Sequence, residues 1–278
     1  MKIKFILFLS CTTFCLFSCT KKESITISGS TTVLPVISNA ANAYKNTHTD
    51  VNIIVNAGGS GVGMNQLGEE KTSMGMISRD ITNAEKEKYP KTNFKVIAIG
   101  KDAVVAVVSS EIYDAGITEL TLAQLAAVYK GEIKNWKELG GPDKEILCVD
   151  KEAARGTRHV FMEIVMGDKE AEAPGADLVL GSNNEEQTSI VQSDAAIGML
   201  SNAWLNDDVK GLNIKMNDSI FIEPSLANIV NGTYPITRNL EIVTRGEPKG
   251  QLKEFIDYVL GPEGQKFVEE AGYVKINR

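Results

Sequence analysis

The sequence predicts an α/β fold with mainly parallel sheets, and two observations carry that expectation. Short apolar runs of strand length alternate with runs at helix period, and no fixed-period repeat or low-complexity tract interrupts them. Three of the strand-to-helix turns are made of glycine and small hydroxyl residues, a composition that leaves backbone N–H groups open to a ligand. A chain of 278 residues has room for one large core or two ordinary ones.

The elements follow in order. SITIS (24–28) is a strand, and after it Val36, Ile37, Ala40, Ala41 and Tyr44 mark one face of a helix. VNIIVNA (51–57) is the next strand, followed by a Gly-rich turn and a short helix around 64–70. Further strands are expected at 95–100, 102–109, 145–150, 195–200 and 240–245. LTLAQLAAVYKG reads as a helix, as does LKEFIDYVL, which Gly261-Pro262 closes. Val160, Phe161, Ile164 and Val165 define another helix that stops at Gly167, with Thr157 in its N-cap or first turn. Cys148, in the apolar run ILCVD, is expected to be a buried thiol, and Trp136 a packing residue in a loop.

Residues 1–18, MKIKFILFLSCTTFCLFS, read as a secretory signal peptide: two lysines, then an apolar run too short to span a membrane. The run ends Leu16-Phe17-Ser18-Cys19, which resembles a bacterial lipobox, so Cys19 is the expected lipidation site and 19–23 a tether. Cleavage there removes Lys2 and Lys4 and no acid, leaving 27 basic against 36 acidic side chains, a net charge of −9. So acidic a chain is not expected to bind nucleic acid, which needs a broad basic surface.

Against that background KEAARGTRHVF (151–161) stands out, because Lys151, Arg155 and Arg158 gather at the start of a helix, where positive charge is unfavourable. SGSTTVLP (28–35) and NAGGSGVGMNQL (56–67) share its strand–turn–helix design. A helix N-terminus presents unpaired N–H groups, Ser and Thr add hydroxyl donors, and Gly allows close approach. One such loop is explained by capping; three, one of them basic, point to a shared anion site. Ser78-Arg79-Asp80 could set a hydroxyl and a guanidinium at a strand end, or form a solvated turn with a local ion pair.

Other chemistry finds no support. GGSGVGMN lacks the Gly-Lys-Ser/Thr of a P-loop and the third glycine of a dinucleotide fingerprint, and Ser60 is followed by Gly61-Val62 rather than the spacing of a nucleophile elbow. The two histidines, His48 and His159, sit in no metal-ligand spacing, and no nucleophile partners His159. No enzyme activity, metal or cofactor is expected.

GSTTVLP, GGSGVG, GMISR, LTLAQLAAVYKGEIKNWKELGG, the RGT loop and YPITRNLEIVT…FIDYVLGPEGQKFVEEAGYVKI occur in an order that resembles the phosphate-binding proteins of bacterial phosphate ABC transporters, the PstS type. The resemblance covers the whole chain after the signal. It implies a type II periplasmic-binding-protein fold, two α/β lobes joined by two crossing strands with the ligand between them. Lobe 1 is then 24–103 and 238–278, lobe 2 is 104–237, and the crossings are DAVVAVVS and YPITRNLEIVT.

The resemblance also implies a phosphate site: Thr31, Thr32, Val33, Ser60 and Ser78 from lobe 1, and Lys151, Arg155, Gly156 and Thr157 from lobe 2, with Arg79, Asp80 and Arg158 behind them. The family reads Arg, three residues, Ser-Gly-Thr where this chain has Lys151, three residues, then Arg155-Gly156-Thr157. Either Lys151 or Arg155 is then the main cation; of the cluster, Arg155 is expected to matter most and Arg158 least. Some members place Asp where this chain has Ser78; discrimination is then weaker, or Asp80 supplies it. The expected protein is a monomeric, lipid-anchored extracytoplasmic lipoprotein that delivers inorganic phosphate to membrane permease subunits. The alternatives are another tetrahedral oxyanion (sulfate, molybdate, tungstate), a secreted phosphatase or esterase, and a surface adhesin.

Overall fold

The structure, a computed structural model, describes residues 23–215 and 220–276; the signal peptide and Cys19 lie outside the described residues. The chain opens with β1 (Glu23–Gly29), α1 (Leu34–Thr47), β2 (Val51–Ala57), α2 (Ser60–Gly68), β3 (Met74–Ile77) and α3 (Asn83–Lys88). The long β4 (Phe94–Ser109) leads to α4 (Ser110–Asp114), β5 (Glu119–Thr121), α5 (Leu122–Tyr129), β6 (Leu147–Lys151), α6 (Gly156–Met166), β7 (Leu178–Leu180), α7 (Asn183–Val191) and β8 (Ala196–Ser201). After β9 (Val209–Gly211), β10 (Asn213–Lys215) and α8 (Leu226–Val230), the chain returns through β11 (Thr237–Arg245) to α9 (Gly250–Leu260), α10 (Pro262–Glu270) and β12 (Val274–Lys275).

Local chemistry accounts for these boundaries. The five apolar positions read as one helix face in α1 are buried, and its first turn carries a proline whose missing N–H costs nothing there. Capping boxes start α3 (Thr82 with Glu85), α5 (Thr121 with Gln124) and α7 (Ser182 with Glu185). Gly167, in the left-handed region at φ 77°, ends α6 as expected. Trp136 is fully buried and donates Nε1–H to the Ala195 carbonyl at 2.8 Å. Cys148 is a buried free thiol.

Three expectations need correction. The strands expected at 95–100 and 102–109 are one sixteen-residue strand, because Lys101 and Asp102 continue the ladder instead of turning. The second helix begins at Ser60 rather than near Met64, so Gly61 and Gly63 lie within its first turn and Gly59 is its N-cap. The strand before the basic cluster runs to Lys151, which therefore belongs to a buried strand end.

The main sheet runs β2-β1-β3-β11-β4-β8-β6-β7. Strands β2, β1 and β3 are mutually parallel, as are β8, β6 and β7, and the antiparallel pair β11–β4 joins the two blocks. Strand β4 pairs with β11 through Ala103 and with β8 from Val104 onward. Burial follows the same division: one hydrophobic core draws on residues 25–99 and 240–273, the other on 103–236. The fold is thus two α/β halves sharing a curled sheet, the type II architecture, and the ends of β1, β3 and β6 point at the gap between them.

Candidate anion-binding site

The first wall of the site is a chain of serine hydroxyls. Gly29, at φ 141°, lets β1 pass against β3; a Cβ there would lie 2.1 Å from the Met76 carbonyl oxygen. Ser30 Oγ accepts from the N–H groups of Thr32 (3.2 Å) and Val33 (3.4 Å) and donates to Ser78 Oγ (3.0 Å). Ser60 Oγ accepts from Ser78 N–H at 3.1 Å and lies 3.5 Å from Ser78 Oγ. All three serines are buried.

The opposite wall is the N-terminus of α6. Arg155 occupies the N-cap position without a side-chain cap, so Thr157 lies in the first turn with its hydroxyl free of capping duty. Gly156 faces the serines so closely that a Cβ would stand 2.5 Å from Ser60 Oγ and 2.6 Å from Ser78 Oγ. Two further contacts hold the halves together: Gly61 N–H donates to the Ala154 carbonyl (3.1 Å), and Asn183 Nδ2 to Thr32 Oγ1 (3.0 Å).

Between the walls lies Arg238, which the sequence reading passed over. Its Nε and Nη2 donate to Asp102 Oδ1 (2.7 Å) and Oδ2 (2.9 Å), a bidentate pair between the two crossing strands. Nη1 also reaches the Ser78 carbonyl and Thr157 Oγ1, both at 3.1 Å, and Nη2 reaches Thr32 Oγ1 at 3.4 Å. The guanidinium therefore binds groups from both halves.

The expected cations divide into three situations. Lys151 is buried and paired with Glu186, a residue the sequence reading did not select. Burial holds the Lys151 amine below and the Glu186 carboxyl above their ordinary values, and the mutual attraction offsets only part of that. Arg158 pairs with Asp150 through Nε (2.9 and 3.0 Å) and donates to the Ala171 carbonyl, and Arg79 pairs with Glu85 rather than with the Asp80 carboxylate. Arg155 alone lies near solvent, paired with Glu152, at a groove of about 420 Å³ that Thr31, Gly58 and Ser182 also line.

The structure thus brings Thr32, Val33, Ser60, Ser78, Gly156 and Thr157 together where the two halves meet, while Thr31 and Arg155 line the groove beside them. Asp80 is exposed and lines a groove of about 370 Å³ on the side of β11, beside Glu241, which Arg79 and Arg238 also line. Burial, with Asp80 nearby, pushes the Glu241 carboxyl up to about 7. His159 Nε2–H donates to the Ala153 carbonyl (2.7 Å), and among the described residues no nucleophile pairs with the ring. Among the described residues no group of three His, Cys, Asp or Glu could hold a metal. Ser30, Asp102, Asn183, Glu186 and Arg238 are the additions. Asp102 had one available signal, being the single charge of DAVVAVVS, since a charge in a buried strand needs a partner; YPITRNLEIVT carries both Arg238 and Glu241 and does not single out that partner.

Comparison with known proteins places this arrangement. A family model described as PBP superfamily domain matches residues 18–263. The phosphate-binding protein PstS of Bacillus subtilis is 33% identical over 255 residues, spanning 91% of this chain and 81% of the relative. PstS of Borreliella burgdorferi is 31% identical over 288 residues, 99% of each chain. This chain belongs to the PstS family of the PBP superfamily. Among solved structures, a candidate phosphate ABC transporter substrate-binding protein of Clostridium perfringens, with bound phosphate, superposes at TM-score 0.81 with 32% identity, covering 92% of this chain and all of that one. An ABC-type phosphate transport receptor of Vibrio cholerae gives TM-score 0.72 at 31% identity, over 91% of this PstS-family chain and all of the receptor.

Proposed function

We propose that this protein captures inorganic phosphate between its two halves and delivers it to the permease subunits of an ABC transporter. One observation carries the reading: the N-termini of α1, α2 and α6, from both halves, meet beside buried hydroxyls that Arg238 links across the two. The first turn of α6 and the threonine hydroxyls suit a compact oxyanion, and each charge-assisted hydrogen bond contributes about 1.5–3 kcal/mol. Micromolar affinity corresponds to about −8 kcal/mol, which a handful of such bonds supplies after ordering costs. The PstS relatives and the phosphate-bound Clostridium perfringens structure support phosphate as the anion.

Because each half brings part of the donor set, the anion favours the closed arrangement. We take the lobe boundary at the β4 partner change, between 103 and 104, and the return at 237–238. No helix of the described residues is long and apolar enough to cross a membrane. The signal peptide and Cys19 make the protein an extracytoplasmic, lipid-anchored monomer in this reading, with a binding role and no catalytic one.

A second reading, another tetrahedral oxyanion, draws support from Ser78 and from the commitment of Asp102 to Arg238 and Glu186 to Lys151. Neither carboxylate stands uncommitted to accept a proton from a ligand. Calorimetry with phosphate, sulfate, molybdate and tungstate separates the two readings. Saturable phosphate binding, tighter than that of the other three, is expected; no phosphate heat at neutral pH alongside tight binding of another anion would replace phosphate.

A further inference from the structure

We infer that Arg238 is a positioning residue for the anion: it fixes the direction of the Thr32 and Thr157 hydroxyls without touching the ligand. The inference rests on the proposed function and deepens it. A guanidinium has five N–H donors. Here Asp102 takes two, the Ser78 carbonyl one, Thr157 Oγ1 one and Thr32 Oγ1 one. None is left over, so the cation nearest the centre of the site acts through its neighbours.

The effect appears in the hydroxyls. A hydroxyl oxygen accepts at two lone pairs and donates one proton. Thr32 Oγ1 receives from Arg238 Nη2 and from Asn183 Nδ2, which fills both lone pairs and turns its O–H into a dedicated donor. Thr157 Oγ1 receives from Arg238 Nη1. Neither hydroxyl donates to a protein acceptor among the described residues, and both side chains are at least 97% buried. Buried O–H groups require acceptors, and an oxyanion provides them. Thr32 belongs to one half and Thr157 to the other, so Arg238 completes this set only when the two helix N-termini are together. The Asp102 carboxylate holds the fork in place from the other crossing strand.

A double-mutant cycle on phosphate affinity tests this, because a purely structural arginine and an oriented hydroxyl make different demands. Titration of phosphate into Thr157→Val is expected to show binding weakened about tenfold or more, the loss of one charge-assisted hydrogen bond. In a background of Arg238→Met with Asp102→Leu, which removes both charges together, the same Thr157→Val change is expected to cost less than about threefold, because the hydroxyl is no longer aimed. Equal losses in the two backgrounds overturn the inference. If that background does not fold, Asp102→Asn, which loosens the fork without deleting it, replaces it under the same criterion. A wild-type protein that binds no phosphate would instead refute the proposed function, and the two failures are thereby told apart.

Discussion

Lys151 and Glu186 form an ion pair sealed beneath the site, with neither side chain more than 1% exposed. Glu186 Oε1 also accepts from Met199 N–H at 2.6 Å, which ties the pair to β8. The residue standing where the family's arginine is implied is therefore committed to the protein interior. Lys151→Ala leaves a buried carboxylate alone and is expected to destabilise the fold by about 3–5 kcal/mol, read by urea denaturation, whereas Lys151→Met with Glu186→Leu is expected to restore most of the loss. Full stability in the single variant would show that the pair does not hold Glu186.

Gly156→Ala tests the closeness of the two walls. The added methyl would overlap Ser60 Oγ and Ser78 Oγ, so the halves cannot come as close. Phosphate affinity is expected to fall by about 100-fold or more, with a free-protein melting temperature within a few degrees of wild type. Unchanged affinity by calorimetry would mean that this contact is not part of the bound state.

Arg155 and Arg158 should separate by what they damage. Arg155 is at the mouth with a half-exposed partner, so Arg155→Ala is expected to weaken phosphate binding less than about tenfold, and less still at high salt. Arg158→Ala strands Asp150 in the interior and is expected to cost about 3–5 kcal/mol of stability, visible in denaturation before it is visible in binding.

Burial of Glu241 predicts the sign of a pH dependence of stability. Its carboxyl, about 7 in the folded protein, ordinarily titrates near 4.5. The folded state thus binds the extra proton between those values, and stability is lost as pH rises from about 4.5 to 7. Glu241→Gln is expected to stabilise the fold at pH 8 by an amount on the order of 1–3 kcal/mol, read by denaturation, and to leave stability unchanged at pH 4. A larger gain at pH 4 would reverse the assignment.

The alternation of strands and helices was legible because burial imposes period, and VNIIVNA and the α1 face appear as read. The three strand–turn–helix loops were legible because their glycine and hydroxyl content is distinctive. Lys101-Asp102 looked like a break between strands because a charge inside an apolar run reads locally as a turn. Its true partner, Arg238, is 136 residues away, and pairing at that distance leaves no local trace. The basic cluster misled in the same way: spacing showed three cations together, whereas Asp150 and Glu186 decide which of them are already engaged.

The unbroken β4 strand also bears on mechanics. The same backbone serves as a rung for β11 and, a residue later, for β8, so the two halves are not linked by a slack tether. Separating them means twisting a hydrogen-bonded ribbon whose rungs stay intact, with the torsion spread over many peptide units. Such a connection behaves as a leaf spring rather than a pivot.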